Sequence, residues 1–249
     1  MNQFEKLFME LTRQHDHTVV FNDFLAYTVD QFRVDNNQPH FNHDKYDKEE
    51  YSLFYDLFQH LIQKTNQVLN GPDTVGWFDM LGVFYEDVIQ SKWKAGNRGQ
   101  FFTPVNVCEI MAELTLSGQV ESMDKSKVLS CYDSACGSSR TLLAYHVRRP
   151  YDVCVGGDLD RTSCLMSVVN FILHGVKGVV LNMDSLSGEF YGGWKTNEFV
   201  DDGFPFTVEY VTSYESCIGM LEHDDDCVIV GDDMSLMNNY KDTVQTTLF

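Results

Sequence analysis

Apolar residues recur at three- and four-residue spacing through YSLFYDLFQHLIQKTNQVL, where Leu53, Phe54, Leu57, Phe58, Leu61 and Ile62 share one face and predict an amphipathic helix. A break at NGPDT precedes a second periodic stretch, Trp77 to Ile89, for which Asp73 or Thr74 is the expected cap. Residues 1–95 therefore read as a helical N-terminal region. After Gly96 the pattern changes. PVNVCEIMAELTL reads as a helix with Pro104 in its first turn. The runs KVLSCYD, DVCVGGDL and GVVLNMD then alternate with the helical stretches SRTLLAYHV and RTSCLMSVVNFILHG. Strands separated by helices predict an α/β domain with a parallel sheet, covering residues 96–240, before a tail at 241–249. Beyond Leu186 the pattern is less regular, with FTVEYVTSY alternating like a half-exposed strand and CVIVGDD forming a short apolar run.

Composition narrows the class. With 249 residues, 43% of them hydrophobic, the chain can bury one good core. No apolar run reaches the length of a membrane span, and the N-terminus lacks the basic start and apolar stretch of a secretion signal, so a cytoplasmic protein without a membrane partner is expected. Seven cysteines without a CxxC pair sit within apolar segments, as small buried hydrophobes do in a reducing compartment. The formal net charge of -19 opposes binding to phosphates through the overall field. The local exceptions are Lys92, Lys94 and Arg98, Lys125 and Lys127, and Arg148 and Arg149, which in the plainer reading are solvated charges.

Three strand ends carry candidate chemistry. Asp133-Ser134-Ala135-Cys136-Gly137-Ser138-Ser139 follows the first β-run, and a glycine there lets backbone approach a ligand at the carboxyl edge of an open sheet. Asp158 ends the second run, where a carboxylate can accept from both hydroxyls of a ribose. Asp184 ends the third, placed to accept from the exocyclic amine of an adenine. The set describes an adenosyl-cofactor site, with a ligand-free α/β domain as the competing reading, since such aspartates also cap helices. His15 and His17, or His40, His43 and Asp44, have ligand-like spacing but no closed set of four, so no metal is assigned. The acidic runs at 224–226 and 231–233 read as solvated surface rather than a magnesium site.

The string DMLGVFYEDVIQSKWKAGNRGQFFTPVNVCEIM resembles the approach to the catalytic domain in methylation subunits of type I restriction systems, which are N6-adenine DNA methyltransferases. YDSACGSSRTLLA is similar to their Asp-Pro-Ala-Cys-Gly-Ser-Gly segment, GGDLDRTSCLMSVVNFILHG to their ribose strand and Asn-x-x-Leu-His-Gly helix, and NMDSL to their Gly-Asp-Ser-Leu. The likeness covers about residues 77 to 188. It implies a Rossmann-like domain using S-adenosyl-L-methionine. It further implies that Phe102, Thr103 and Pro104 flank the methionine end, with Thr103 meeting the carboxylate. Asp133, Ala135 and Gly137 would surround the methionine amine and ribose, Asp158 would take the ribose hydroxyls, and Asp184 the adenine amine.

The chain also departs from that pattern. Ser134 stands for the proline and Ser139 for the second glycine, changes expected to stiffen the loop without closing it. No Asn-Pro-Pro-Phe or Asp-Pro-Pro-Tyr string follows the fourth strand, where the family holds a flipped target base. The nearest substitute is CVIVGDDM, with Asp232 as the expected catalytic acceptor, and Phe204, Pro205 and Phe206 are a second candidate. The expected function is adenine-specific DNA methylation, reduced or dependent on a specificity subunit or other partner. The alternatives are a non-catalytic cofactor-binding accessory protein and a methyltransferase for RNA or protein. Gln245, Leu248 and Phe249 resemble the peptide that bacterial proteins dock on the replication sliding clamp.

Overall fold

A computed structural model of the chain describes residues 3–35, 37, 39–72, 74–90, 102–117, 128–201, 203, 206–218 and 229–230. The helical layer comprises α1 (Gln3–Leu11), α2 (His17–Asp30), α3 (Lys48–Leu69) and α4 (Met80–Phe84), the last running into a π-helical turn, Tyr85–Gln90. Caps start these helices. The Asp16 side chain accepts from the amides of Thr18 and Val19, and Asp47 with Glu50 forms a reciprocal capping box. α3 buries Phe54, Leu57 and Leu61, with Leu53 and Phe58 packed beside them, as its spacing predicts. The expected cap of the next helix needs correction, because α4 begins at Met80 with Asp79 accepting from Gly82, while the Thr74 hydroxyl accepts from Gly76. Asp73 lies outside the described residues.

The α/β part follows with α5 (Val105–Ser117), β1 (Ser130–Asp133), α6 (Arg140–Arg148), β2 (Val153–Asp158), α7 (Arg161–His174) and β3 (Gly178–Asp184). Then come β4 (Glu189–Thr196), β5 (Val208–Val211), α8 (Tyr214–Ile218) and β6 (Ile229–Val230). The sheet order is β5-β4-β3-β2-β1-β6. β1, β2, β3 and β6 are parallel, and β4 and β5 add an antiparallel extension at the β3 edge. The order reverses at β1, which has β2 on one side and β6 on the other, and crevices for ligands open at such switch points. This is the Rossmann-like arrangement, preceded by helices.

β4 was not legible in the sequence pattern. Its Gly192-Gly193 pair breaks the alternation that marks a strand, and both are needed for room: a Cβ on Gly193 would lie 2.5 Å from Cys217 Sγ, and one on Gly192 equally close to the Tyr210 hydroxyl.

β3 shows which face packs where. Val180 joins the main core, whereas Val179, Leu181 and Met183 join a smaller core with Val155, Val211 and Cys217 under α8. The main core is continuous from the sheet through α6 and α7 into the N-terminal helices. Phe84 meets the rings of Phe4 and Phe8 edge-on, each at 4.9 Å, and Tyr85 lies 5.4 Å from Phe21. The segment after α2 also covers the outer sheet edge, since the Val34 amide donates to the Val208 carbonyl and the Val208 amide to that of Phe32.

Candidate functional site

The loop from Asp133 to Ser139 leaves β1 and turns into α6, and each of its bends is held by a named contact. Asp133 accepts from the Ala135 amide at 3.1 Å through one carboxylate oxygen and from the Thr141 hydroxyl through the other. Gly137 sits at φ 56°, and its amide donates to Asp158 Oδ2 at 2.9 Å. A Cβ added there would lie 2.9 Å from the Phe102 ring, so only glycine lets that ring close over the loop. Ser139 has no such excuse: its φ is 66°, in a region that side chains avoid. It is fully buried, and its hydroxyl donates to Ser167 Oγ, which in turn donates to the Gly137 carbonyl at 2.7 Å. Ser134 is exposed and its carbonyl accepts from the Ser185 hydroxyl at 2.7 Å. The Ser139 hydroxyl thus ties the loop to α7, whereas the Ser134 contact runs through backbone that a proline would offer equally.

The strand-end carboxylates differ in environment. Asp158 accepts from the Asp160 and Gly137 amides, yet burial raises its pKa above the usual carboxylate value in spite of those bonds. Asp184 is open to solvent and its pKa is lowered by the amides of Leu186 and Ser187. Phe102 is buried, with its amide donating to Glu86 Oε1 at 3.0 Å; Thr103 is half-buried, and the Pro104 carbonyl opens α5 by accepting from Val107 and Cys108. Contacts therefore join Gly137 to Phe102 and to Asp158, and Asp133 bonds Ala135 within the same loop. Asp184 comes in through its neighbour Ser185, and Thr103 through a 3.5 Å contact of its carbonyl with Arg140 Nη1. Phe101 lies outside the described residues.

Behind the loop is a buried polar network that the sequence pattern did not reveal. Asp79, 3% exposed, accepts from the Gly82 amide, Asn170 Nδ2, Ser138 Oγ and Arg140 Nε at 2.6–2.9 Å. Arg140 also donates to Glu86 Oε2 at 2.9 Å and lies over the Phe102 ring at 5.1 Å. Asn170 donates to the Ser138 carbonyl, and its own carbonyl accepts from His174 Nδ1, whose Nε2 accepts from the Phe78 amide. These partners fix His174 as neutral, in keeping with a pKa lowered by burial. One signal was available. Arg140 is the first residue of α6, where the helix dipole disfavours a cation, so it requires carboxylates from elsewhere.

Other sequence candidates have structural partners or fall outside the described residues. Arg148 pairs with Glu109 and Glu113, and Arg149 with Asp152, so neither offers a free phosphate contact. Lys92, Lys94, Arg98, Lys125, Lys127, Phe204, Pro205, Asp232, Gln245, Leu248 and Phe249 lie outside the described residues, as do the acidic runs at 224–226 and 231–233. His15 bonds Glu50 and His40 accepts from the Trp194 indole, and no cluster of metal-ligating residues occurs among the described residues. No helix among them is long and apolar enough to cross a membrane.

The chain is 29% identical over 131 residues to the type I restriction enzyme MjaVIII methylase subunit of Methanocaldococcus jannaschii, covering 50% of this chain and 21% of that protein. It spans about a fifth of that relative's length. A crystal structure of the methyltransferase subunit of a type I restriction-modification system from Streptococcus thermophilus is similar over 95% of this chain and 46% of its own, at 19% identity and a TM-score of 0.37. The family described as N-6 DNA Methylase matches residues 77–218, more than half of the chain, and the chain belongs to that family.

Proposed function

We propose that the chain binds S-adenosyl-L-methionine at the carboxyl edge of β1, β2 and β3 and serves N6-adenine methylation of DNA. The observation that carries this reading is the join between Asp158 and Gly137, which sets a half-buried acceptor against a loop that closes under the Phe102 ring and exposes Ser134 and Ala135. The donor set suits an adenosyl group. Asp158 has lone pairs left for ribose hydroxyls, Asp184 presents a solvent-facing acceptor to an exocyclic amine, and Asp133 with the Ala135 backbone lies where a methionine amine would be received. Thr103 and Pro104, next to the Phe102 ring that closes on the loop, would flank the methionine end. The bound sulfonium would supply the methyl electrophile, and the chain's residues would orient it and keep water from it. β6 pairs with β1 at the switch point, Cys131 beside Val230, which supports Asp232 as the residue that receives the target amine.

A second reading, a non-catalytic cofactor-binding partner of a larger assembly, is favoured by the missing Pro-Pro-aromatic string and by the pairing of Arg148 and Arg149. Dependence on a DNA-recognising subunit accommodates both readings, because the -19 charge leaves the phosphates to another chain. Calorimetry with S-adenosylhomocysteine tests the site. Asp158→Ala is expected to weaken binding about ten- to hundredfold, the effect of losing a hydrogen-bonded charged acceptor. A folded wild type that binds neither form of the cofactor overturns the proposal. Transfer of labelled methyl to mixed genomic DNA, with and without cell extract, separates catalysis from binding alone.

A further inference from the structure

We propose that Glu86 and Arg140 are positioning residues that clamp the Phe102–Thr103 segment over the glycine loop and so set cofactor affinity without touching the cofactor; this rests on the cofactor site proposed above. The Glu86 carboxylate bridges two elements, since Oε1 accepts from the Phe102 amide at 3.0 Å while Oε2 accepts from Arg140 Nη2 at 2.9 Å. Arg140 completes the clamp from the other side. Its guanidinium lies 5.1 Å from the centre of the Phe102 ring, Nη1 reaches toward the Thr103 carbonyl, and Nε is held by Asp79 at 2.6 Å. The Phe102 ring also closes on Gly137, whose Cα hydrogens leave the space that a Cβ would fill. The ring thus meets both a fixed cation and the loop that also bonds Asp158.

Geometry explains why one acidic and one basic residue are both needed. A carboxylate has two oxygens to divide between a backbone amide and a guanidinium, and a glutamine has one carbonyl oxygen and an amide group that repels the second donor. A lysine in place of Arg140 keeps the charge but holds its three N–H groups on one nitrogen, too compact to reach Asp79, Glu86 and Thr103 together. Glu86 also lies in the π-helical turn Tyr85–Gln90, a feature that interrupts regular helices where a side chain must be aimed.

The test uses the full chain with S-adenosylhomocysteine as the probe in calorimetry, and amide hydrogen exchange without it. Glu86→Gln and Arg140→Lys are each expected to raise the dissociation constant roughly tenfold. Glu86→Gln should also speed exchange at the Phe102 amide. The control is Asp152→Asn, which keeps an oxygen for the Leu129 amide but loses the Oδ2 bonds from Tyr145 and Arg149 Nε at the other end of α6. It lowers the melting temperature and leaves the dissociation constant unchanged. The partly exposed Glu86 keeps the test open even if Arg140→Lys does not fold. Wild-type affinity and unchanged Phe102 exchange in Glu86→Gln overturn the clamp; so does an equal loss of affinity in Asp152→Asn. A wild type that does not bind the probe refutes the cofactor reading instead, and the Phe102 exchange still reports on the clamp.

Discussion

Replacing Asp79 by asparagine keeps the size of the side chain but removes the charge on which the buried network depends. Arg140 would keep Glu86 alone as an anionic partner, and the new amide group would face the donors of Ser138, Asn170 or Arg140. Breaking a buried ion pair from one side costs about 3–5 kcal/mol. Arg140 is only 7% exposed, so water offers it little relief, while its bond to Glu86 survives and favours the lower part of that range. For a chain of this length about 1 kcal/mol moves the melting temperature by roughly 2–4 °C, which gives a fall of about 6–12 °C. Thermal unfolding followed by circular dichroism reads it. Asp79→Asn with Arg140→Met should be less damaging than the sum of the single changes, because the double variant buries no unpaired cation. A fall below about 2 °C for Asp79→Asn, or strict additivity in the cycle, would refute the reasoning.

Gly137→Ala combines a left-handed backbone, costing roughly 1–2 kcal/mol for a residue with a Cβ, with a 2.9 Å approach to the Phe102 ring. It should reduce probe affinity in calorimetry more than it lowers the melting temperature, and unaltered affinity would count against the loop as a binding element. Acid should destabilise the chain through His146, whose pKa is pulled down to about 4 by burial and by the neighbouring His174. A depressed histidine contributes stability that is complete above about pH 6.5 and lost as the pH falls to about 4, on the order of 3 kcal/mol from that one group. His146→Leu removes a buried Nδ1 that has no hydrogen-bond partner among the described residues. It should therefore flatten urea-melt stability between pH 6.5 and 4.5, and a slope identical to wild type would exclude His146 as the source.

The alternation of strands and helices from β1 to β3 was legible because each element carries its own period and its own punctuation. Asp158 and Asp184 could be placed at strand ends for the same reason. Their partners could not. The Gly137 amide that occupies Asp158 is 21 residues away, and no local spacing encodes that bond. The distance is greater still in the network. Asp79 meets Arg140 across 61 residues and Asn170 across 91, and in the sequence it lies inside the periodic stretch from Trp77 to Ile89 with nothing local to single it out. β4 was missed because its two glycines serve close packing against α8 and β5 rather than strand propensity. The strand ends thus announce the site, and tertiary contacts alone identify what holds it in shape.

The continuous core has a consequence for any attempt to use the family segment as a portable module. The match begins at Trp77, yet Phe84 and Tyr85 inside it bury their rings against Phe4, Phe8 and Phe21 outside it. Cutting at that border would open an aromatic seam to water along α4 and strip the cover from the outer strand β5, leaving a sticky surface and an unpaired sheet edge on one fragment. A boundary drawn by sequence similarity is therefore no boundary in cooperativity. With one core shared between them, the N-terminal helices and the sheet are expected to melt as one unit, so that a loss of stability in α1 to α3 reaches the strands as well.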